Sequence, residues 1–207
     1  DAYQSEADLE KEFIRLLGEQ GYDYLPIHTE EDLVSNLRVQ LEKLNNYHFT
    51  DNEWTTFFNE CIANKNDDIV AKTAKIQEDY IQVLKRDSGE SQNIYLIDKT
   101  SIHNNRLQVI NQYVEEGGTY DTRYDVTILV NGLPLVHVEL KRRGVQLKEA
   151  FNQINRYQRD SFWAGCGLYD YIQIFIISNG TDSKYYSNTT RFAHVTAANK
   201  GKKKVKT

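Results

Sequence analysis

The sequence predicts an α/β protein with a central mixed sheet flanked by helices. Three observations point there: apolar residues recur at helical spacing up to about Arg86, alternation takes over after Ser88-Gly89, and one more helical stretch then separates two strand-like segments. Composition sets the bounds. With 207 residues, 40% hydrophobic and 12% aromatic, the chain can build one domain core, while only 2 Pro and 11 Gly exclude a disordered or fibrous chain. Apolar runs fall far short of the ~20 residues that span a bilayer, and no basic-then-apolar start marks a secretory signal, so no membrane partner is expected. Cys61 and Cys166 are too few for a disulfide framework or a four-ligand zinc site, which makes a reduced, cytoplasmic setting the default. The sequence has no Met, and residues 200–206 (KGKKKVK) carry charge without apolar partners. The chain is therefore expected to be a piece of a longer protein, with residues 191–207 as a basic linker.

Each element has a local reason. Ser5 followed by Asp8 is a capping-box pattern, and Leu9, Phe13, Leu16 and Leu17 then recur at helical spacing until Gly21, predicting a helix from Ser5 to about Gln20. Three further helices are expected over residues 29–86. Thr29 caps one carrying Leu33, Leu37, Leu41 and Leu44; Asp51 caps one carrying Trp54, Phe57, Phe58 and Cys61; Asn66 opens one carrying Ile69, Ile76, Tyr80 and Leu84. This block is expected to be a helical insertion at one edge of the sheet. Ile94–Ile97 and Leu107–Val114 read as strands, and Gly117-Gly118 breaks the pattern. Val126–Val130, Asn131-Gly132 and Leu135–Leu140 then give the strongest hairpin signal in the chain. A helix from about Val145 to Arg159, with Leu147, Phe151, Ile154 and Gln158 on one face, precedes Tyr171–Ile177, a strand expected to be covered on both sides.

The hairpin concentrates the chemistry. Glu139 and Lys141 are two apart on a predicted strand and share a face with His137, while Val136, Val138 and Leu140 point the other way, into the core. Register decides whether Asp125 joins them. A two-residue Asn131-Gly132 loop would set Asp125 opposite Val138, whereas a three-residue loop sets it opposite Glu139. The second register is predicted, with Pro134 opening the turn. Two carboxylates and a lysine on one face suit Mg²⁺, which takes one or two carboxylates and completes its shell with water and phosphate oxygens. Lys141 could then orient the attacking water or stabilise charge building on the phosphate. A Glu-x-Lys by itself is an ordinary solvated pattern. Here an acid opens the partner strand, the hairpin is apolar and a basic helix follows.

Asp125 followed by Glu139-Leu140-Lys141 resembles the active-site pattern of the PD-(D/E)xK nuclease superfamily, with Tyr124 standing where that pattern usually has proline. The longer stretches RYDVTILVNGLPLVHVELKRRG, EAFNQINRYQRDSF and FIISNGTDSKYY, with the opening SEADLEKEFIRLLGEQGY, are similar to the N-terminal nuclease domain of the restriction (R) subunit of type I restriction–modification enzymes. The resemblance covers most of residues 3–190. It implies a restriction-endonuclease-like core over residues 1–190, and Asp125, Glu139 and Lys141 as catalytic residues, the two carboxylates holding the metal. Related nucleases often add a glutamate from the first helix; Glu10 is the candidate, with Glu6, Asp8 and Glu12 equally acidic on the same helix. Gln153 and Tyr157 match the Gln-x-x-x-Tyr motif of this branch, one helical turn apart, and are implied to contact DNA or steady the metal site, with Arg142 and Arg143 beside them. His137 matches no role and is expected to be a partly buried polar residue.

The implied partners are double-stranded DNA and the methylation and specificity subunits of a restriction complex. Such R subunits also use ATP, but no G-x-x-x-x-G-K-[ST] sequence occurs here, so this chain is not expected to bind it. The competing readings are a stand-alone repair or junction nuclease of the same superfamily and an inert DNA- or subunit-binding module. The formal net charge of −5 argues against a polyanionic partner only until it is divided. Residues 1–140 hold 12 Lys+Arg and 26 Asp+Glu, whereas residues 141–207 hold 13 and 4. The basic share starts at Lys141 and continues through Lys148, Arg156 and Arg159, where phosphates could be neutralised locally.

Overall fold

Ser5 opens the first helix as its sequence requires. Its hydroxyl accepts the Asp8 N–H while the Asp8 carboxylate accepts the Ser5 N–H, a closed capping box. The structure, a computed structural model, describes residues 5–115 and 122–188. Helix α1 (Glu6–Glu19) is followed by the two-residue strand β1 (Asp23–Tyr24), then by α2 (Glu30–Asn45), α3 (Asp51–Phe57) with a π turn at Phe58–Ile62, and α4 (Ile69–Gln77). Next come the hairpin β2 (Ile81–Lys85) and β3 (Ser91–Tyr95), then β4 (Leu107–Glu115), β5 (Thr122–Val130), β6 (Leu133–Leu140), α5 (Leu147–Asp160), β7 (Ile174–Ser178) and β8 (Ser183–Ser187). Among the described residues no helix is long and apolar enough to cross a membrane. The Gly117-Gly118 break and the 191–207 segment lie outside the described residues.

Six strands form the central sheet in the order β1-β4-β5-β6-β7-β8. β1 runs parallel to β4 and β6 parallel to β7, while the remaining neighbours are antiparallel, so the sheet is mixed as the sequence predicts. Its two faces bury different partners. Val109, Val126, Ile128, Val138 and Leu140 pack under α1 with Leu17, Phe13 and Leu9. The opposite face joins a larger cluster in which Tyr113, Leu129 and Phe175 meet α5 through Ala150, Ile154 and Tyr157.

Several expectations need correction. The helix expected to run through Tyr80 and Leu84 ends at Gln77, and Ile81–Lys85 is a strand paired antiparallel with Ser91–Tyr95 in a separate two-stranded sheet. Leu84 falls at helical spacing from Ile76 and Tyr80, but β-branched Ile81 and Val83 and an antiparallel partner favour the ladder. Two caps shift as well. Thr50 caps α3, in a capping box with Glu53, and Asp68 caps α4 by accepting the Ala71 N–H, because each sits one residue before its first helical position. The strand expected from Tyr171 starts at Ile174, and Tyr171 belongs to a short 3₁₀ turn where its hydroxyl donates to the Ile62 carbonyl. Ile174 is itself exposed, so β7 is not covered on both sides at its start. On α5 the buried face is Ala150, Ile154 and Tyr157, and Phe151 lies at the rim against Tyr186.

The α2 leucines show how the 29–86 block is attached. Leu33, Leu37 and Leu41 are fully buried in the same cluster as Tyr113, Leu129 and Leu133 of the sheet. At the β5–β6 turn the α2 backbone comes so close that a Cβ on Gly132 would lie 2.6 Å from Leu37 Cα.

Candidate active site

The β5–β6 hairpin determines which side chains meet. Asn131 (φ 51) and Gly132 (φ 84) form a two-residue loop closed by Val130 opposite Leu133, which corrects the expected three-residue loop. Two positive φ values match the twist of the flanking strands. The Asn131 carboxamide secures the left-handed backbone by donating to the Leu96 carbonyl and accepting the Arg106 N–H. By itself this turn would place Asp125 opposite Val138. A bulge intervenes: Leu129 pairs with Pro134 and Ile128 with Val136, leaving Leu135 as the extra residue. Proline has no N–H to contribute to a ladder, and a bulge accommodates it. From there Val126 pairs with Val138, and Asp125 stands opposite Glu139. The predicted register is present, produced by a bulge instead of a longer loop.

The strands part at this level. Val126–Val138 is the last pair of the β5–β6 ladder, and the Leu140 N–H donates to Asp125 Oδ2 at 2.9 Å instead of to a strand carbonyl. On the other side β4 pairs Asn111 with Val126 and Tyr113 with Tyr124 but skips Gln112, whose φ is +51, opposite Asp125. β6 meanwhile stays paired with β7 through Leu140. Asp125 therefore occupies a gap in the hydrogen-bonding pattern on both flanks.

Both carboxylates sit well inside the protein, and Glu139 is fully buried. This departs from the expectation that the acid, lysine and imidazole share an outward face, because α5 and its aromatic neighbours cover it. Burial raises the Asp125 carboxyl well above the usual carboxylate range, and the Glu139 charge raises it further, while the Leu140 N–H and Lys141 oppose. Burial raises Glu139 in the same way, against the pull of Lys141, whose Nζ donates to Glu139 Oε1 at 3.2 Å. Two buried acids close to each other, with one lysine bonded to Glu139, favour an added cation.

His137 is fully buried, which corrects the expectation of partial burial. Its Nε2 lies 3.2 Å from Glu139 Oε2, and the rings of Tyr124, Tyr157 and Phe162 surround it at centroid distances of 5.6, 5.8 and 5.6 Å. Desolvation pushes its pKa down to about 4, so the imidazole is neutral at pH 7. Spacing already put His137 on the face of Glu139; what concealed its place was the assumption that a polar face looks outward.

Gln153 and Tyr157 meet as their spacing requires. Gln153 Nε2 donates to the Tyr157 hydroxyl, which donates to the Arg123 carbonyl at 3.2 Å. Burial raises the Tyr157 hydroxyl pKa, as do the nearby charges of Glu139 and Asp125, so this tyrosine stands beside the acids. Arg142 and Arg143, which directly follow Lys141, are exposed, and Arg143 lines an open groove with Lys148, Asn179, Thr181 and Lys184. The first helix reaches the site at two points. Glu10 accepts from Asn111 Nδ2 at 2.6 Å and Gln112 Nε2 at 2.5 Å, which supports the kink opposite Asp125. Glu6 accepts the Arg142 N–H at 3.2 Å, and its charge helps raise the Glu139 pKa. The sequence offered no means of ranking Glu6 against Glu10.

The chain matches the family described as type I restriction enzyme R protein N terminus over residues 3–194. It is 50% identical over 192 residues to the type I restriction enzyme EcoprrI endonuclease subunit of Escherichia coli, covering 92% of this chain and 61% of that protein. It is 42% identical over 191 residues to the SsaAORF53P endonuclease subunit of Staphylococcus saprophyticus, with 90% and 20% covered. The HindI endonuclease subunit of Haemophilus influenzae is 28% identical over 215 residues, with 93% and 20% covered. The chain thus spans about three fifths of one curated relative and a fifth of the others. Matched along nearly its whole length, it belongs to the family of type I restriction enzyme R protein N termini.

Proposed function

We propose that this chain is a Mg²⁺-dependent endonuclease domain of the PD-(D/E)xK type, hydrolysing DNA phosphodiester bonds as part of a type I restriction enzyme. The observation that carries the reading is the convergence of Asp125 and Glu139 where β5 and β6 part, with Lys141 bonded to Glu139. The donor set fits the ion. Among the described residues no group of three or more His, Cys, Asp or Glu gathers as a metal site, and two carboxylates are enough for Mg²⁺, which reserves positions for water and phosphate.

Asp125 and Glu139 would hold the metal, which when bound supplies Lewis acidity toward the scissile phosphate and its attacking water. The Leu140 N–H fixes one Asp125 oxygen and leaves the other for the ion. Lys141 stands beside Glu139, where its ammonium can orient the water and offset negative charge as the phosphorus becomes five-coordinate. The exposed Arg142 and Arg143, next along the chain from Lys141, with Lys148 on α5, would neutralise the phosphates on either side of the cut. Gln153 and Tyr157 border the acids and would keep the DNA strand in register with them. Sequence choice, methylation and ATP-driven movement fall to other parts of the complex, including the specificity and methylation subunits.

The test uses the full-length subunit assembled with those partners. Lys141→Ala and Asp125→Ala should each lower DNA cleavage by at least about 100-fold and leave ATP hydrolysis unchanged. Cleavage retained by both variants refutes the assignment. Efficient cleavage by the isolated chain with Mg²⁺ would instead favour a stand-alone nuclease.

A further inference from the structure

His137 has one hydrogen-bonding neighbour for two ring nitrogens. Nε2 faces Glu139 Oε2 at 3.2 Å, while Nδ1 is buried with no partner. Phe162, Phe175, Tyr124 and Tyr157 present ring edges or faces around the imidazole, closing it off from water. An imidazolium would need an acceptor at Nδ1, and the cage offers none. A neutral ring protonated on Nδ1 would turn a lone pair toward the Glu139 carboxylate. One form fits: neutral imidazole with its proton on Nε2.

We propose that His137 is a positioning residue for Glu139, donating from Nε2 to Oε2 so that, with Lys141 on Oε1, the carboxylate is held at both oxygens and aimed across the gap at Asp125. The two donors do different work. Lys141 brings charge and flexibility, whereas His137 adds none and is fixed by packing on all sides. A neutral donor orients a metal carboxylate without competing with the cation for its charge. Each oxygen keeps a lone pair for the ion, and the side chain need not be ordered when the metal arrives. A strand face that would ordinarily carry an aliphatic residue here carries a side chain that fills the cage and still places an N–H on Oε2. The inference rests on the metal-site reading above and goes beyond it.

The experiment measures Mn²⁺ binding to the chain by calorimetry, with no DNA present, for the wild type and three variants. His137→Leu keeps most of the volume and removes the donor; His137→Gln returns an N–H near the Nε2 position; Asp125→Asn removes a metal ligand. The proposal expects His137→Leu to weaken Mn²⁺ binding roughly 10- to 100-fold, His137→Gln to recover to within about threefold of wild type, and Asp125→Asn to abolish binding. Wild-type affinity in His137→Leu alongside loss in Asp125→Asn overturns the positioning role and leaves the metal site standing. Unchanged binding in Asp125→Asn overturns the metal-site reading and the inference with it. Should His137→Leu fail to fold, the ¹⁵N spectrum of the wild-type imidazoles decides: the His137 signals, identified by their loss in His137→Gln, should be those of the neutral Nε2–H form. An Nδ1–H or doubly protonated ring refutes the proposal.

Discussion

At the scale of single residues, the two central acids are arranged against the stability of the fold. Asp125 and Glu139 are buried beside each other, and burial, then mutual repulsion for Asp125, disfavours their ionised forms. Removing one charge while keeping its hydrogen bond should relieve this. In Asp125→Asn the side-chain oxygen can still accept the Leu140 N–H, so the metal-free variant should be more stable than wild type by about 1–2 kcal/mol, a rise in Tm of roughly 2–8 °C. Thermal melting in a chelator checks it, and a lower Tm would show that the pair is not strained. Much of this residue-level picture was legible. Period-two spacing placed Glu139, Lys141 and His137 on one face, and the alternative registers of Asp125 were distinguishable. The parting of the strands was not, since nothing in a glutamine announces that Gln112 will adopt φ +51 opposite the acid.

Elements are joined by polar side chains that look like surface in the sequence. Glu53 is nearly fully buried and takes hydrogen bonds from the Tyr47 hydroxyl and from the Thr50 and Asp87 N–H groups, tying the start of α3 to the β2–β3 turn. Burial pushes its pKa up, but those three bonds outweigh it and hold it below the ordinary 4.5. Because the folded value is depressed, this stabilisation is complete above 4.5 and is lost as pH falls through the folded value. Glu53→Ala should cost about 3 kcal/mol, leaving three donors unsatisfied, and Glu53→Gln should flatten the acid limb of the stability profile. Chemical denaturation at pH 7 and at successive steps below pH 4.5 reads both. The β2 strand was misread because Tyr80 and Leu84 fall at helical spacing by coincidence, and only the partner strand Ser91–Tyr95 settles the choice.

For the whole molecule, the helical block and the charge division matter most. Three α2 leucines fill the sheet's own core, so a chain lacking residues 29–86 should not fold, as judged by loss of a cooperative melt. Gly132→Ala should be nearly as damaging, by about 3 kcal/mol or more, because the new Cβ meets the Leu37 backbone and φ is +84. A native-like melting profile for either would mean that the block is peripheral. The basic C-terminal share makes a separate prediction. Arg143→Ala with Lys148→Ala should reduce the salt dependence of DNA binding by about two counterions' worth, a slope change of roughly 1.8 in log K against log salt. The sequence located this asymmetry well, because charge is additive along the chain. It could not show that the 29–86 helices share the main core, because leucines at helical spacing look alike whichever surface they cover.

The extra residue at Leu135 sets the phase between two strands. Were Leu135 instead drawn into the ladder opposite Ile128, the same two-residue turn would join two regular strands, a hairpin as well formed as before. Every side chain of β6 beyond that point would then have exchanged faces relative to β5, placing Asp125 opposite Val138. A sheet could form, the composition would not change at all, and the acids would never meet. The capacity for chemistry thus depends on one residue being left out of the pairing, apart from the identity of any catalytic side chain.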